Sequence, residues 1–174
     1  MEQICYTPIG ILRTPFQKGS ETPIQAAFSD VPGRAEIFPE YVEGLEDLEG
    51  FSHIILIYHF HRAHGFSLRE RPFLDGSKSR GIFAVRYYRR PNPIGISTVR
   101  LVEIQNGVIE FRGADMLDST PLLDIKPFVK AFDNRASTRD GWVDAQRLDG
   151  LSAGAATPQR LGGRDAGRAP PERE

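Results

Sequence analysis

The chain has 174 residues, 40% of them hydrophobic and 26% charged, with a formal net charge of −1. This is the profile of one globular domain with room for a core, and near-neutrality leaves nucleic-acid binding to a local basic patch. The single cysteine, Cys5, excludes an internal disulfide and a multi-cysteine metal site. No apolar run nears the ~20 residues of a membrane helix, and Met1–Ile4 lacks a signal-peptide pattern. The expected compartment is the cytoplasm, with no membrane partner.

Tyr6–Arg13 reads as a first strand, with Pro8 favouring an edge or a bulge. A polar loop over residues 16–24 follows, then a short strand at Ala35–Phe38 and a short helix opened by Pro39 and limited by Gly44 and Gly50. Phe51–His61 is a continuous apolar run, the pattern of a strand buried on both faces. Gly81–Val85 reads as another strand. Ser97–Ile104 and Val108–Phe111 flank Asn106-Gly107, a strong hairpin signal. A two-residue turn there pairs Ile104 with Ile109, Val102 with Phe111 and Glu103 with Glu110. Short, regularly spaced strands with few helices predict a mainly β chain, a barrel or a sandwich. After about Asp144 the composition shifts to Gly, Ala, Pro, Arg and Asp, so residues 151–174 read as a disordered tail.

The densest chemistry is Arg86-Tyr87-Tyr88-Arg89-Arg90-Pro91-Asn92-Pro93-Ile94-Gly95. A turn has no use for three guanidinium groups and two phenols. Arginine forks bind phosphate and carboxylate, and aromatic faces stack on bases. The segment suits an anionic, aromatic ligand: a nucleotide, a nucleotide-like cofactor or RNA. No GxGxxG or GxxxxGK[ST] sequence is present, so a nucleotide cofactor would not be held by a Rossmann domain. Asp118-Ser119-Thr120-Pro121 forms a polar turn able to hold a ribose or an adenine edge. Asp124 and Lys126, two apart, share a strand face and can pair. His59, His61 and His64 raise a metal site as an alternative, although no carboxylate or thiolate nearby in sequence completes it.

The motifs Tyr6-x-Pro-Ile-Gly, Gly50-Phe51-Ser52-His53, Phe83-x-x-Arg86-x-x-x-Arg90-Pro91-Asn92-Pro93-Ile94-Gly95 and Leu117-Asp118-Ser119-Thr120-Pro121-x-Leu123-Asp124-Ile125-Lys126-Pro127 resemble, in this order, those of the TrmO/TsaA-like family. The resemblance spans residues 4–144. It implies a single-sheet β-barrel that binds S-adenosyl-L-methionine, forms a homodimer, and methylates N6 of N6-threonylcarbamoyladenosine next to the tRNA anticodon; from the residues themselves, no metal is expected. It further implies cofactor contacts at Pro23, Ile24, Gln25, His61, Arg62, Arg86, Ile96, Leu117, Asp118, Ser119 and Thr120. On this reading Asp118 or His61 accepts the substrate proton, and Arg89, Arg90 and Asn92 bind substrate. Two positions depart from the family: Tyr87-Tyr88 replaces a small pair, and Ser119 replaces a glycine, which strains a positive φ. The rival from the residues alone is a non-catalytic RNA-binding β-barrel.

Overall fold

The computed structural model describes residues 2–136, 139–146, 148 and 156–158. Six antiparallel strands close into a barrel in the order β1-β2-β7-β6-β3-β8. These are β1 (Gly10–Arg13), β2 (Pro32–Ile37), β3 (His53–His59), β6 (Ile94–Gln105), β7 (Val108–Arg112) and β8 (Thr120–Pro127). A two-stranded ribbon, β4 (Arg69–Glu70) with β5 (Arg80–Gly81), projects from the long connection between β3 and β6. One short helix, α1 (Lys130–Asp133), follows the barrel. No helix among the described residues is long and apolar enough to cross a membrane.

A barrel this small is filled by side chains. Leu12, Ile54, Leu56, Val99, Ile109, Phe111, Met116 and Leu122 occupy the interior and are almost completely buried. The strands reach inward only at alternate positions, because successive side chains point to opposite faces. In β3 this leaves Ile54, Leu56 and Tyr58 inside and Ile55, Ile57 and His59 half-buried outside. The apolar run is therefore fully buried on one face only.

Several expected elements are shorter or bent. The first strand begins at Gly10, after Pro8, which has no N–H to pair. The expected helix after Pro39 is two 3-10 segments, Pro39–Leu45 and Leu48–Gly50, parted by Asp47 at φ 64°. Residues Ile82–Ala84 form a 3-10 turn, not a strand. The guanidinium of Arg90 holds that turn, donating to the carbonyls of Val85 at 2.6 Å and Ile82 at 3.2 Å.

In the β6–β7 hairpin Ile104 faces Ile109 and Glu103 faces Glu110, as the turn predicts. Phe111, however, faces Leu101, because the register shifts between Leu101 and Glu103. Val102 is the extra residue of a bulge and lies outside. Arg100 then faces Arg112 across the ladder, and Asp30 reaches both at 4.0 and 3.3 Å. Asp124 and Lys126 pair at 2.8 Å as expected.

Most of residues 151–174 lie outside the described residues. The exception, Ala156–Pro158, is buried, and the Ala156 carbonyl accepts the Ile24 N–H at 2.9 Å. These three residues lie against the loop between β1 and β2 that carries Ile24.

Candidate active site at one end of the barrel

Two small hydrogen-bonded groups gather most of the expected residues. The first joins the loop before β2 to the arginine segment: Arg86 Nη1 donates to Gln25 Oε1 at 2.6 Å. Gln25 precedes a 3-10 turn, Ala26–Phe28, and Pro23 beside it is buried. The second surrounds the turn before β8. Thr120 Oγ1 donates to the Leu117 carbonyl at 2.8 Å and lies 3.3 Å from His61 Nδ1. Asp118 Oδ1 accepts the Thr14 amide at 3.2 Å, and Asp118 Oδ2 accepts the Ser119 hydroxyl at 3.0 Å. Ser119 sits at φ 63°, a left-handed conformation that costs a residue with a Cβ roughly 1–2 kcal/mol. Its hydroxyl also accepts from Arg13 Nη1 at 2.9 Å, so side-chain bonds that glycine could not make offset the strain.

Asp115, which no sequence signal singled out, connects the first group to the barrel interior. Its Oδ1 accepts from Ser97 Oγ at 2.6 Å, and Ser97 lies 3.0 Å from the buried Tyr58 hydroxyl. Burial pushes the Asp115 carboxyl up to about 7, against the opposing pull of the Ser97 hydroxyl, the Ala26 amide and the nearby Arg86 charge. The residue as a whole is only partly covered; the carboxyl group itself is what packing desolvates.

The two carboxylates three residues apart are thus driven in opposite directions. Partial burial works against ionising Asp118, but the Thr14 amide and the Ser119 and Gln17 donors hold it below the usual carboxylate range. Burial, with the charges of Arg62 and His59, lowers His61 and keeps its ring neutral.

The Asp115 shift has a consequence for stability. Below pH ~4 the group is protonated in both folded and unfolded chains. Between ~4 and ~7 only the folded chain holds the proton, so this group's contribution falls by about 1.4 kcal/mol per pH unit, to a total near 4 kcal/mol. Above ~7 it is constant. Urea unfolding at pH 5 and pH 8 should show a smaller loss of stability with rising pH for Asp115→Asn than for the parent chain. Equal losses would mean that the carboxyl titrates normally.

The remaining expected residues are dispersed. Arg62 donates to the Gln17 carbonyl at 2.9 Å at the edge of the site. Arg89 is exposed and only loosely tied to Glu70, at 3.8 Å. Arg90 holds the 82–84 turn from within, and Asn92 is exposed in the Pro-Asn-Pro turn, which is pinned by the Phe60 N–H to the Pro93 carbonyl at 2.8 Å. Ile96 points outward from β6, on the face opposite buried Ser97, and is 57% exposed. His59 ends β3, so His61 and His64 lie beyond the strand, and among the described residues no three His, Cys, Asp or Glu side chains converge as metal ligands.

A family model described as the tRNA-methyltransferase O N-terminal domain matches residues 11–134. The chain belongs to the tRNA-methyltransferase O family. A relative from Pyrococcus abyssi, named a probable S-adenosyl-L-methionine-binding protein, is 54% identical over 142 residues, covering 81% of this chain and 77% of that protein. The human protein named tRNA (adenine(37)-N6)-methyltransferase is 32% identical over 145 residues, covering 79% of this chain but 33% of its own length. The crystal structure of TrmO from Pseudomonas aeruginosa superimposes with a TM-score of 0.68 at 36% identity, over 81% of this chain and 63% of that one. The barrel is thus the part that the tRNA-methyltransferase O proteins share, and the longer members extend beyond it.

The donor set suits S-adenosylmethionine. Arg86 and Arg62 offer cationic partners for a carboxylate, Asp118 and Thr120 offer acceptors for ribose hydroxyls, and Leu117 and Ile24 offer apolar contact.

Proposed function

We propose that the protein is an S-adenosylmethionine-dependent methyltransferase acting on N6 of N6-threonylcarbamoyladenosine beside the tRNA anticodon. The observation that carries the reading is the junction of the Gln25–Arg86 pair with the Asp115 carboxyl at one end of the barrel. S-adenosylmethionine, when bound, supplies an electrophilic methyl group.

The protein's own residues must align the acceptor nitrogen and take its proton, because a urea-type N6–H is a poor nucleophile. Asp115 suits that task better than Asp118 or His61. A carboxyl near 7 is a far stronger base than an ordinary carboxylate and is still about half ionised at neutral pH. Asp118, held ionised by its donors, and His61, held neutral, suit hydrogen bonding to the cofactor. The substrate's threonyl carboxylate fits Arg89, since the Arg90 guanidinium is occupied within its own loop, and exposed Asn92 in the following turn is a further polar group for the substrate. A homodimer in the cytoplasm completes the reading: Ile94 and Ile96 are exposed on the barrel exterior beside half-buried Ile55 and Ile57, an apolar strip suited to a second copy.

Purified protein should methylate tRNA carrying threonylcarbamoyladenosine and leave the same tRNA without that modification untouched. Equal transfer to both would overturn the substrate assignment. S-adenosylmethionine at ~100 times its dissociation constant should stabilise the fold by about 2.7 kcal/mol, visible as a melting shift. The absence of any shift would overturn the cofactor.

A further inference from the structure

Charge is segregated along this chain. The 34 residues between β3 and β6, Phe60 to Pro93, hold eight Lys and Arg against two acidic residues, a formal +6. The other 14 basic and 21 acidic residues leave the rest of the protein at −7. The connection is one packed unit. The β4–β5 ribbon pairs Arg69 with Gly81, the Ile82 N–H donates to the Leu68 carbonyl at 3.0 Å, and the Ser67 N–H donates to the Arg89 carbonyl at 3.3 Å. Phe73 packs on Tyr87, and Tyr87 stacks on Tyr88 at 4.5 Å. Trp142 clamps the unit from outside, donating to the Ala84 carbonyl at 2.7 Å with Arg80 over its ring.

Most of this positive charge is uncompensated. Asp75 pairs with Arg80, and Glu70 lies 3.8 Å from Arg89. No carboxylate among the described residues comes within ion-pair distance of Arg62, Arg69, Arg71, Lys78, Arg86 or Arg90. The unit also exposes large apolar side chains that a merely solvated basic face would lack: Phe66, Leu68, Phe83 (78% exposed) and Tyr88 (40% exposed). By contrast, the groove along β1, β2 and β7 sets Arg13, Arg34 and Arg112 against Glu36, Glu110 and Asp118 and is formally neutral.

Cationic side chains interleaved with exposed aromatic rings are the two components of a single-stranded nucleic-acid surface: charge tracks the phosphates, and rings take unstacked bases. We infer that the β3–β6 connection is the RNA-docking surface of this protein and that it grips single-stranded RNA next to the site, Arg69, Arg71 and Lys78 contacting phosphates and Phe66, Phe83 and Tyr88 contacting bases. This rests on the methyltransferase reading and adds the surface that presents its substrate. Because the unit contains Arg86 and begins one residue before His61, RNA held there lies against the Gln25–Arg86 and His61–Thr120 groups.

The test compares the parent chain with R69A/R71A/K78A and with the charge-keeping R69K/R71K/K78R, all outside the proposed catalytic machinery. The probe is tRNA carrying threonylcarbamoyladenosine, titrated across a salt series. The alanine variant should bind at least tenfold more weakly at low salt, with a slope of log affinity against log salt shallower by about two, as expected for three lost phosphate contacts. Its melting shift with S-adenosylmethionine should equal the parent's. The charge-keeping variant should bind as the parent does, and single-stranded RNA should compete better than duplex. Parental affinity and slope in the alanine variant, with methylation intact in the parent, would overturn the surface alone. Failure of the charge-keeping variant to restore binding, or better competition by duplex, would also overturn it. If the parent neither binds nor methylates this tRNA, the surface falls together with the reading it rests on.

Discussion

Replacing Asp115 with asparagine should lower the methylation rate by about 10²- to 10⁴-fold, the usual contribution of a positioned general base. The parent's rate under saturating substrates should rise with pH through about 7 and then level off, as the carboxyl ionises. The residual activity of the variant should lack that rise. Asparagine keeps the volume, and its amide oxygen can still accept from Ser97 Oγ, so the connection back to Tyr58 survives. The melting shift with S-adenosylmethionine reports whether the cofactor still binds. A normal shift with a collapsed rate isolates the proton-transfer role; a lost shift would instead make Asp115 a positioning residue for the Gln25–Arg86 pair. Parental rate and pH profile in the variant would remove Asp115 from the mechanism. Asp118→Asn is the comparison that separates the two carboxylates. Asp118 is held ionised by three donors, so its loss should raise the KM for S-adenosylmethionine more than it lowers kcat.

The difference between these two carboxylates explains what was legible in the sequence. Asp118 lies in a polar turn whose hydroxyls and amides are its chain neighbours, and its chemistry can be read from Asp118-Ser119-Thr120-Pro121 alone. Asp115 follows Gly113 and Ala114 and resembles any loop residue. Its shift arises from burial when the barrel closes over its carboxyl, and the donors that oppose the shift, Ser97 and the Ala26 amide, come from 18 and 89 positions earlier. Neither partner is visible before the barrel closes. The arginine segment shows the converse limit. Its composition announced anion binding, yet composition does not show which guanidinium is spent on structure, and Arg90 is turned back onto the carbonyls of Ile82 and Val85. Likewise the Asn106-Gly107 turn fixed the first two hairpin pairs, whereas the bulge at Val102 depends on where Phe111 must point inside a closed barrel. Strand identity is local, but bulges and the reach of the first strand are set by closure.

Phe111→Ala should destabilise the protein by about 3–5 kcal/mol, a large part of the 5–15 kcal/mol that holds a domain folded. The ring is 1% exposed and lies over Gly33, its partner across the β2–β7 ladder. A Cβ at Gly33 would meet the Phe111 ring at 2.5 and 2.6 Å, closer than real Cβ atoms approach. Gly33→Ala alone should therefore cost about 1–3 kcal/mol, as overpacking does. The two changes are coupled in a definite direction: once the ring is gone, the new methyl group enters vacated space. The double variant should be more stable than the sum of the single changes predicts by about 1 kcal/mol or more, measured by urea unfolding of all four proteins. Strict additivity would mean that the ring does not occupy the space above Gly33. The coupling also bears on function, because β2 follows the Ala26–Phe28 turn and Phe111 lies four residues before Asp115. Both partners of the Asp115 carboxyl that lie outside its own loop are placed by strands that Phe111 packs together. Phe111→Ala should open the packing that desolvates the Asp115 carboxyl, which is the largest cause of its raised pKa and outweighs the opposing pull of those two partners. The rising limb of the rate profile should then move to lower pH even where the variant remains folded.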